Sequence, residues 1–194
     1  MRQAATQQIY AYWNDLRKER SAPERTDIDP SAIRGALAET FIIEADEAGT
    51  FPLRLSGGRL NALSMNELKG RSFANLWGAD APQVVALLRT VMDGAAPVVA
   101  GARGAPAGRD VLDVEMLFLP LRHFGKTHAR ILGAIAYSGA PAWLGLLPVE
   151  RLELKSLRIL RPEEARALGV RPSVNRFRRA GDAPTLRVIP GGRT

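Results

Sequence analysis

The sequence predicts an α+β fold: an antiparallel five-stranded sheet with helices on one face, plus an N-terminal amphipathic helix and a basic C-terminal tail. Three observations lead there. Strand-like runs recur at 41–45, 51–56, 97–100, 110–121 and 129–137. A stripe of apolar residues at helical spacing, over 80–94, separates the first two runs from the last three. Turn residues at 46–49 and 123–126 fold neighbouring runs back on each other, as an antiparallel sheet carrying helices requires.

In chain order, residues 7–20 predict a helix with Ile9, Tyr12, Trp13 and Leu16 on one side and Arg17, Lys18, Glu19 and Arg20 at its end. Asp29 followed by Pro30 is an N-cap with proline at the first helical position, predicting a short helix over 30–37. Phe41-Ile-Ile-Glu-Ala reads as a strand, and Asp46 to Gly49 as the turn into the next. There the alternation of Phe51, Leu53 and Leu55 predicts one apolar face. Gly57 and Gly58 turn the backbone into short helical pieces anchored by Leu60, Leu63, Met65, Leu68, Phe73, Leu76 and Trp77, with Gly70 ending one of them.

Asp80 and Pro82 start the longest internal helix and Gly94 ends it, with Val84, Val85, Leu87, Leu88, Val91 and Met92 as its stripe. The glycine-rich segment 101–109 predicts a loop. The following strand carries Leu112, Val114, Met116 and Phe118 on one face, and the chain returns as a strand from Ala129 to Tyr137. A further strand-like run lies within 146–160, and Pro162 to Gly169 predicts a short helix with acids in its first turn. The expected division is 1–28 helix and linker, 29–160 the domain, 161–170 a short helix, and 171–194 a basic tail that its composition predicts to be disordered.

Composition bounds the function. At 194 residues, with 46% apolar and 24% charged residues, the chain suits one globular domain with extensions. It contains no run of 18 apolar residues, and its first residues lack the apolar core of a secretion signal, so a cytoplasmic protein is expected. The absence of cysteine excludes disulfides, thiol catalysis and thiolate metal sites. Of the net charge of +7, residues 171–194 supply +5, from six arginines against Asp182. Arg176, Arg178 and Arg179 in that tail suit weak, salt-sensitive contact with an anionic surface. No recognition helix or base-stacking platform accompanies them, so specific DNA recognition is not expected.

No catalytic constellation emerges. Gly125-Lys126-Thr127 imitates the end of a phosphate-binding loop, but Pro120 stands where the pattern needs glycine, and a strand follows instead of a helix. His123 and His128 flank a turn without a third ligand nearby, so no metal is expected. Ser56 is not in a nucleophile elbow and reads as a turn or cap serine. Asp113 and Glu115 share one strand face, open to acid–base work but equally to a solvated or partner-facing surface.

The motif order supports a family resemblance. Arg54, Gly57, Arg59, Leu60, Leu63, Glu67, Leu68, Gly70, Phe73, Leu76 and Trp77 are followed by Glu115 to Leu121, Arg130 to Gly133, and Pro141 to Gly145. Together they resemble a PAS domain, and more narrowly the single-domain PAS proteins common in alphaproteobacteria, over roughly residues 6–160. The chain departs from that pattern at Gly58 and at Ser64-Met65.

The resemblance implies a non-catalytic signalling or scaffold module working through protein contacts, with itself as a homodimer and with an unidentified signalling protein. It implies that the helix carrying Ile9, Tyr12, Trp13 and Leu16 either covers the sheet or packs against its copy. The alternative is a metabolite sensor whose pocket is lined by Phe41, Ile43, Leu53, Leu63, Phe73, Leu76, Val85, Leu88, Val114, Met116 and Ile135, with Arg54 and Arg59 orienting an anionic ligand. Packed core explains the same positions. Haem is disfavoured because the long helix lacks histidine; flavin adducts and thiol-linked chromophores are disfavoured because there is no cysteine.

Overall fold

The structure, a computed structural model, describes residues 1–46, 48–124 and 126–160. Residues 161–194, with the expected short helix and the tail arginines Arg176, Arg178 and Arg179, lie outside the described residues.

Among the described residues the α-helices and strands are α1 (Ala4–Arg17), β1 (Thr40–Glu44), β2 (Leu53–Ser56), α2 (Gly58–Ser64), α3 (Ala81–Asp93), β3 (Val98–Gly104), β4 (Leu112–His123), β5 (Lys126–Tyr137) and β6 (Leu152–Ile159). The strands form one sheet of order β2-β1-β5-β4-β3-β6 in which neighbours pair antiparallel. It has six strands instead of the expected five, because the run at 152–159 adds to the edge of β3.

Both faces of the sheet are covered. On the inner face lie α2, α3 and the short 3-10 turns around Phe73 and Asp80; on the outer face lies α1 with the 3-10 segment Pro30–Glu39. The middle of β4 shows why: Met116, Leu117, Phe118 and Leu119 are all fully buried, so alternate residues must face apolar neighbours on opposite sides. The helix stripe on α3 forms as its spacing predicts, burying Val84, Leu87, Leu88, Val91 and Met92.

Several local expectations are corrected by tertiary contacts. The segment 30–37 is 3-10 and kinked at Ile33, although Asp29 accepts the Ser31 N–H at its start. Phe51 takes a left-handed conformation (φ 51°) and the strand begins at Leu53; a register shift in its pairing sets Leu53 opposite Ile43 but Leu55 opposite Ile42, and Leu55 is 38% exposed. Asp80 does not cap α3; its carboxylate accepts the Leu154 N–H of β6 at 2.8 Å. The glycines of the expected 101–109 loop belong partly to β3. A Cβ on Gly101 would stand 2.5 Å from Ser156 Oγ, and one on Gly104 would stand 2.6 Å from Val149 Cγ1. Those glycines serve the close approach of β6 and its lead-in, not chain flexibility.

Candidate functional site

The inner face is built around aromatic rings. Phe41 of β1, Phe73 of the short helical region and Phe118 of β4 form a triangle with centroids 5.3, 5.8 and 5.9 Å apart. Phe41 and Phe73 stack, whereas Phe118 meets both edge-on, the offset geometries that ring quadrupoles favour. Trp77 adds a fourth ring, 5.9 Å from Phe73. Beneath Phe41 lies Gly133 of β5, where a Cβ would fall 2.0 Å from the ring. Glycine is therefore required by the ring that rests on it, in a backbone conformation open to any residue.

The eleven expected pocket positions do converge. Phe41, Ile43, Leu53, Leu63, Phe73, Leu88, Val114, Met116 and Ile135 are buried in one cluster, with Leu76 and Val85 packed against it. Val149 donates its N–H to Leu63 O, and Trp143, its indole donating to Asp110 O, joins the same cluster. One polar atom inside stands out: Trp77 Nε1 is buried without a hydrogen-bond partner among the described residues.

The two arginines lie apart from this cluster. Arg54 pairs with Glu44, which also binds Arg130 of β5 at 3.1 Å. Burial works against the Glu44 charge, but the two guanidiniums outweigh it and hold its carboxyl below the usual range. Arg59 pairs with Glu39 at 3.3 Å and lies over the Tyr137 ring, 5.1 Å from its centroid. With their side chains 60% and 46% exposed, both arginines tie surface elements together.

The outer face is organised by α1. Ile9 and Trp13 are buried against Ile42, Leu117, Leu119, Leu121, Leu132 and Ala134 of the sheet, with Tyr12 and Leu16 partly buried beside them. Trp13 Nε1 donates to Pro120 O at 2.8 Å. Proline is tolerated there because pairing with β3 stops at Phe118, leaving that side of β4 without a partner strand. Within the single chain the helix covers its own sheet.

Gln3, at the N-cap of α1, offers no side-chain cap. Glu115 of β4 supplies one from across the sheet. Its carboxylate accepts Arg2 N–H at 2.7 Å, Gln3 N–H at 3.2 Å and the hydroxyl of fully buried Thr6 at 2.5 Å. A carboxylate at a helix N-terminus satisfies orphan donors and opposes the positive end of the dipole. Asp113, on the same strand face, pairs instead with Arg103 at 2.6 Å. The two carboxylates have separate structural partners. Ser56 donates to Asn61 Oδ1 as a turn serine. Among the described residues no group of three or more His, Cys, Asp or Glu side chains is placed to hold a metal.

A family model described as PAS domain matches residues 1–136, more than two thirds of the chain. The chain belongs to the PAS domain family. No curated protein matches it.

Among solved structures this PAS domain resembles the LOV protein of Rhodobacter sphaeroides, at 13% identity over 59% of this chain and 71% of that one, with TM-score 0.43. It also resembles an RNA-binding light-oxygen-voltage receptor, at 16% identity over 59% of this chain and 35% of that one, with TM-score 0.43. At such scores neither likeness carries an argument about ligand or partner. The family itself supports a signalling or sensor role. The sixth strand of this PAS domain, β6, lies beyond the matched residues.

On the inner face the Phe41 ring rests over Gly133. Sequence reasoning missed Glu115 as a cap, Gly133 as a ring support and Trp77 Nε1 as a buried donor. Only the pairing of Gly133 with Phe41 in neighbouring strands could have been anticipated, and only with the register in hand.

Proposed function

We propose that this PAS domain is a non-catalytic signalling module that acts by protein contact, as a homodimer and toward a second signalling protein. The observation that carries this reading is the packing of the inner face. Phe41, Phe73 and Phe118 fill the space where a sensor would seat its ligand, and a ring resting on a glycine leaves no slack between them.

The signal would then pass through the outer face. Helix α1 covers an apolar strip of the sheet, and its docking depends on two polar anchors, Glu115 and Pro120 O. A partner that favours α1 in one of two packings shifts the population between them, by no more than its differential affinity for the two.

The test is native mass spectrometry of the protein purified from its own host, intact and after denaturation. A dimer free of adduct is expected. A monomer at micromolar concentration would sink the homodimer, and a non-covalent adduct of defined mass would sink the scaffold reading.

A second reading, a metabolite sensor, has one observation in its favour. Trp77 Nε1 is a buried donor without a partner among the described residues, and such a group costs about 1–3 kcal/mol unless something accepts from it. A small ligand presenting one acceptor to that indole is what this reading requires.

A further inference from the structure

The outer face of the sheet is only half covered. Along β4 burial alternates up to Glu115 and becomes continuous from Met116 to Leu121, where α1 lies across the strand. Along β3 the alternation runs the whole length, so one side of that strand has no cover. On this open side pairing sets Arg103 between Asp113 and Glu153, and Gly101 between Glu115 and Ser156.

The open half is a trough of ≈ 1040 Å³. Gly101 and Ser156 form its floor, and a Cβ on Gly101 would stand 2.5 Å from Ser156 Oγ. A glycine inside a strand keeps the floor low enough for another backbone to approach. One wall is the lead into α1, Met1 to Gln3, fastened by Gln3 Nε2 donating to Ser138 Oγ at 2.6 Å. Val111, 62% exposed, adds an apolar side chain to the lining.

Charge selects the occupant. Arg103 pairs with Asp113 at 2.6 Å, and Lys155 with Glu153 at 2.6 Å. Glu115 is engaged by the Arg2 and Gln3 N–H groups and by Thr6. The guanidiniums of Arg2 and Arg158, both exposed on the trough, have no ion pair among the described residues. They are the charges left over, and both are positive.

We propose that this trough docks an acidic, aliphatic segment of another protein. Its carboxylates would meet Arg2 and Arg158, and its apolar side chains Val111 and Val99. The volume stands at the upper end of the roughly 300–1,000 Å³ that small-molecule sites occupy, which suits a peptide segment better than a metabolite. A nucleic-acid strand would set phosphates against Asp113 and Glu115, and none of the residues described along the trough is aromatic, so no base could stack. A second copy of this chain brings a net charge of +7, which opposes the two arginines.

This inference rests on the reading of the domain as a module that acts by protein contact, and names the surface and the kind of partner. Its failure would leave the homodimer and the filled inner face standing. An adduct in native mass spectrometry would sink the scaffold reading without bearing on the trough.

The test is an NMR titration of the full-length protein with a blocked peptide of alternating glutamate and valine, beside its lysine-for-glutamate counterpart. The glutamate peptide is expected to give saturable shifts at the amides of Gly101, Arg103, Ser156 and Arg158, and the lysine peptide none. Arg2→Glu combined with Arg158→Glu changes two exposed positions, and should weaken binding about tenfold and turn the preference toward the lysine peptide. No saturable shift up to about 1 mM peptide would overturn the proposal, as would equal responses to both peptides or shifts centred on another face. So would shifts at the same residues on raising protein concentration alone, which would assign the trough to a second copy. A stronger response to a single-stranded oligonucleotide would assign it to nucleic acid and overturn the proposal as well.

Discussion

The two faces of the sheet are packed by the same force and secured differently. The inner face is closed by α2, α3 and the turns between them, all bounded by strands on either side in sequence. Its elements cannot leave without dismantling β2 or β3. The outer face is closed largely by α1, whose N-terminus is capped by a residue more than a hundred positions away. Inner-face stability is therefore global, whereas the outer face can open locally.

The largest effect is expected from breaking the inner face. Phe73→Ala removes the ring that touches Phe41, Phe118 and Trp77, and should cost about 3–5 kcal/mol in denaturant unfolding. A loss below about 1 kcal/mol would mean that the site relaxes freely and the filled-core argument is wrong.

Next comes the outer face. Trp13→Ala should remove about 3 kcal/mol of docking and expose the strip from Leu117 to Leu121 to a hydrophobic dye, with near-ultraviolet signals from Trp77 and Trp143 retained. If those signals vanish together with the helix, the faces do not separate and the comparison fails.

A smaller step tests the remote cap. Glu115→Gln keeps the shape and loses the charge, and should weaken α1 by about 1–2 kcal/mol, read as faster amide exchange over residues 4–9 with the β4–β5 ladder unchanged. Equal protection in wild type and variant would remove Glu115 from the docking argument.

The smallest effect is one of pH. The Glu44 carboxyl is depressed in the folded state by Arg54 and Arg130, which outweigh its burial. Its contribution to stability is present above the usual carboxylate pKa of 4.5 and is lost as pH falls through the lower folded value. Glu44→Gln should therefore narrow the stability gap from wild type as the solution is acidified below that point. A gap constant with pH would show that the ion pairs contribute nothing.

Much of the fold was legible because it is written in local periodicity. The α3 stripe, the two long strands and the N-terminal helix, expected over 7–20 and found at Ala4–Arg17, follow from apolar spacing, and the turn at Asp46 to Gly49 from its residues. The sixth strand was harder. Its inner-facing residues, Leu152, Leu154, Leu157 and Ile159, shift phase around Lys155, where a bulge breaks the alternation. Gly101 and Gly104 read as loop glycines because a close approach leaves the same mark in sequence as a turn. The arginines near the glycine turn read as ligand contacts because nothing local reveals Glu44 and Glu39 as their partners.

The candidate site divides along the same line. By itself the sequence determined which residues are apolar and at what period, hence the sheet, the long helix and membership of the cluster around Phe41, and it excluded thiol chemistry outright. Tertiary structure alone decided that α1 lies on its own sheet, that Glu115 caps it while Asp113 does not, and that Phe41 rests on Gly133. Burial is set by pattern within a segment. Caps, close approaches and ion pairs are set by strand register, which brings together residues that share no local signal.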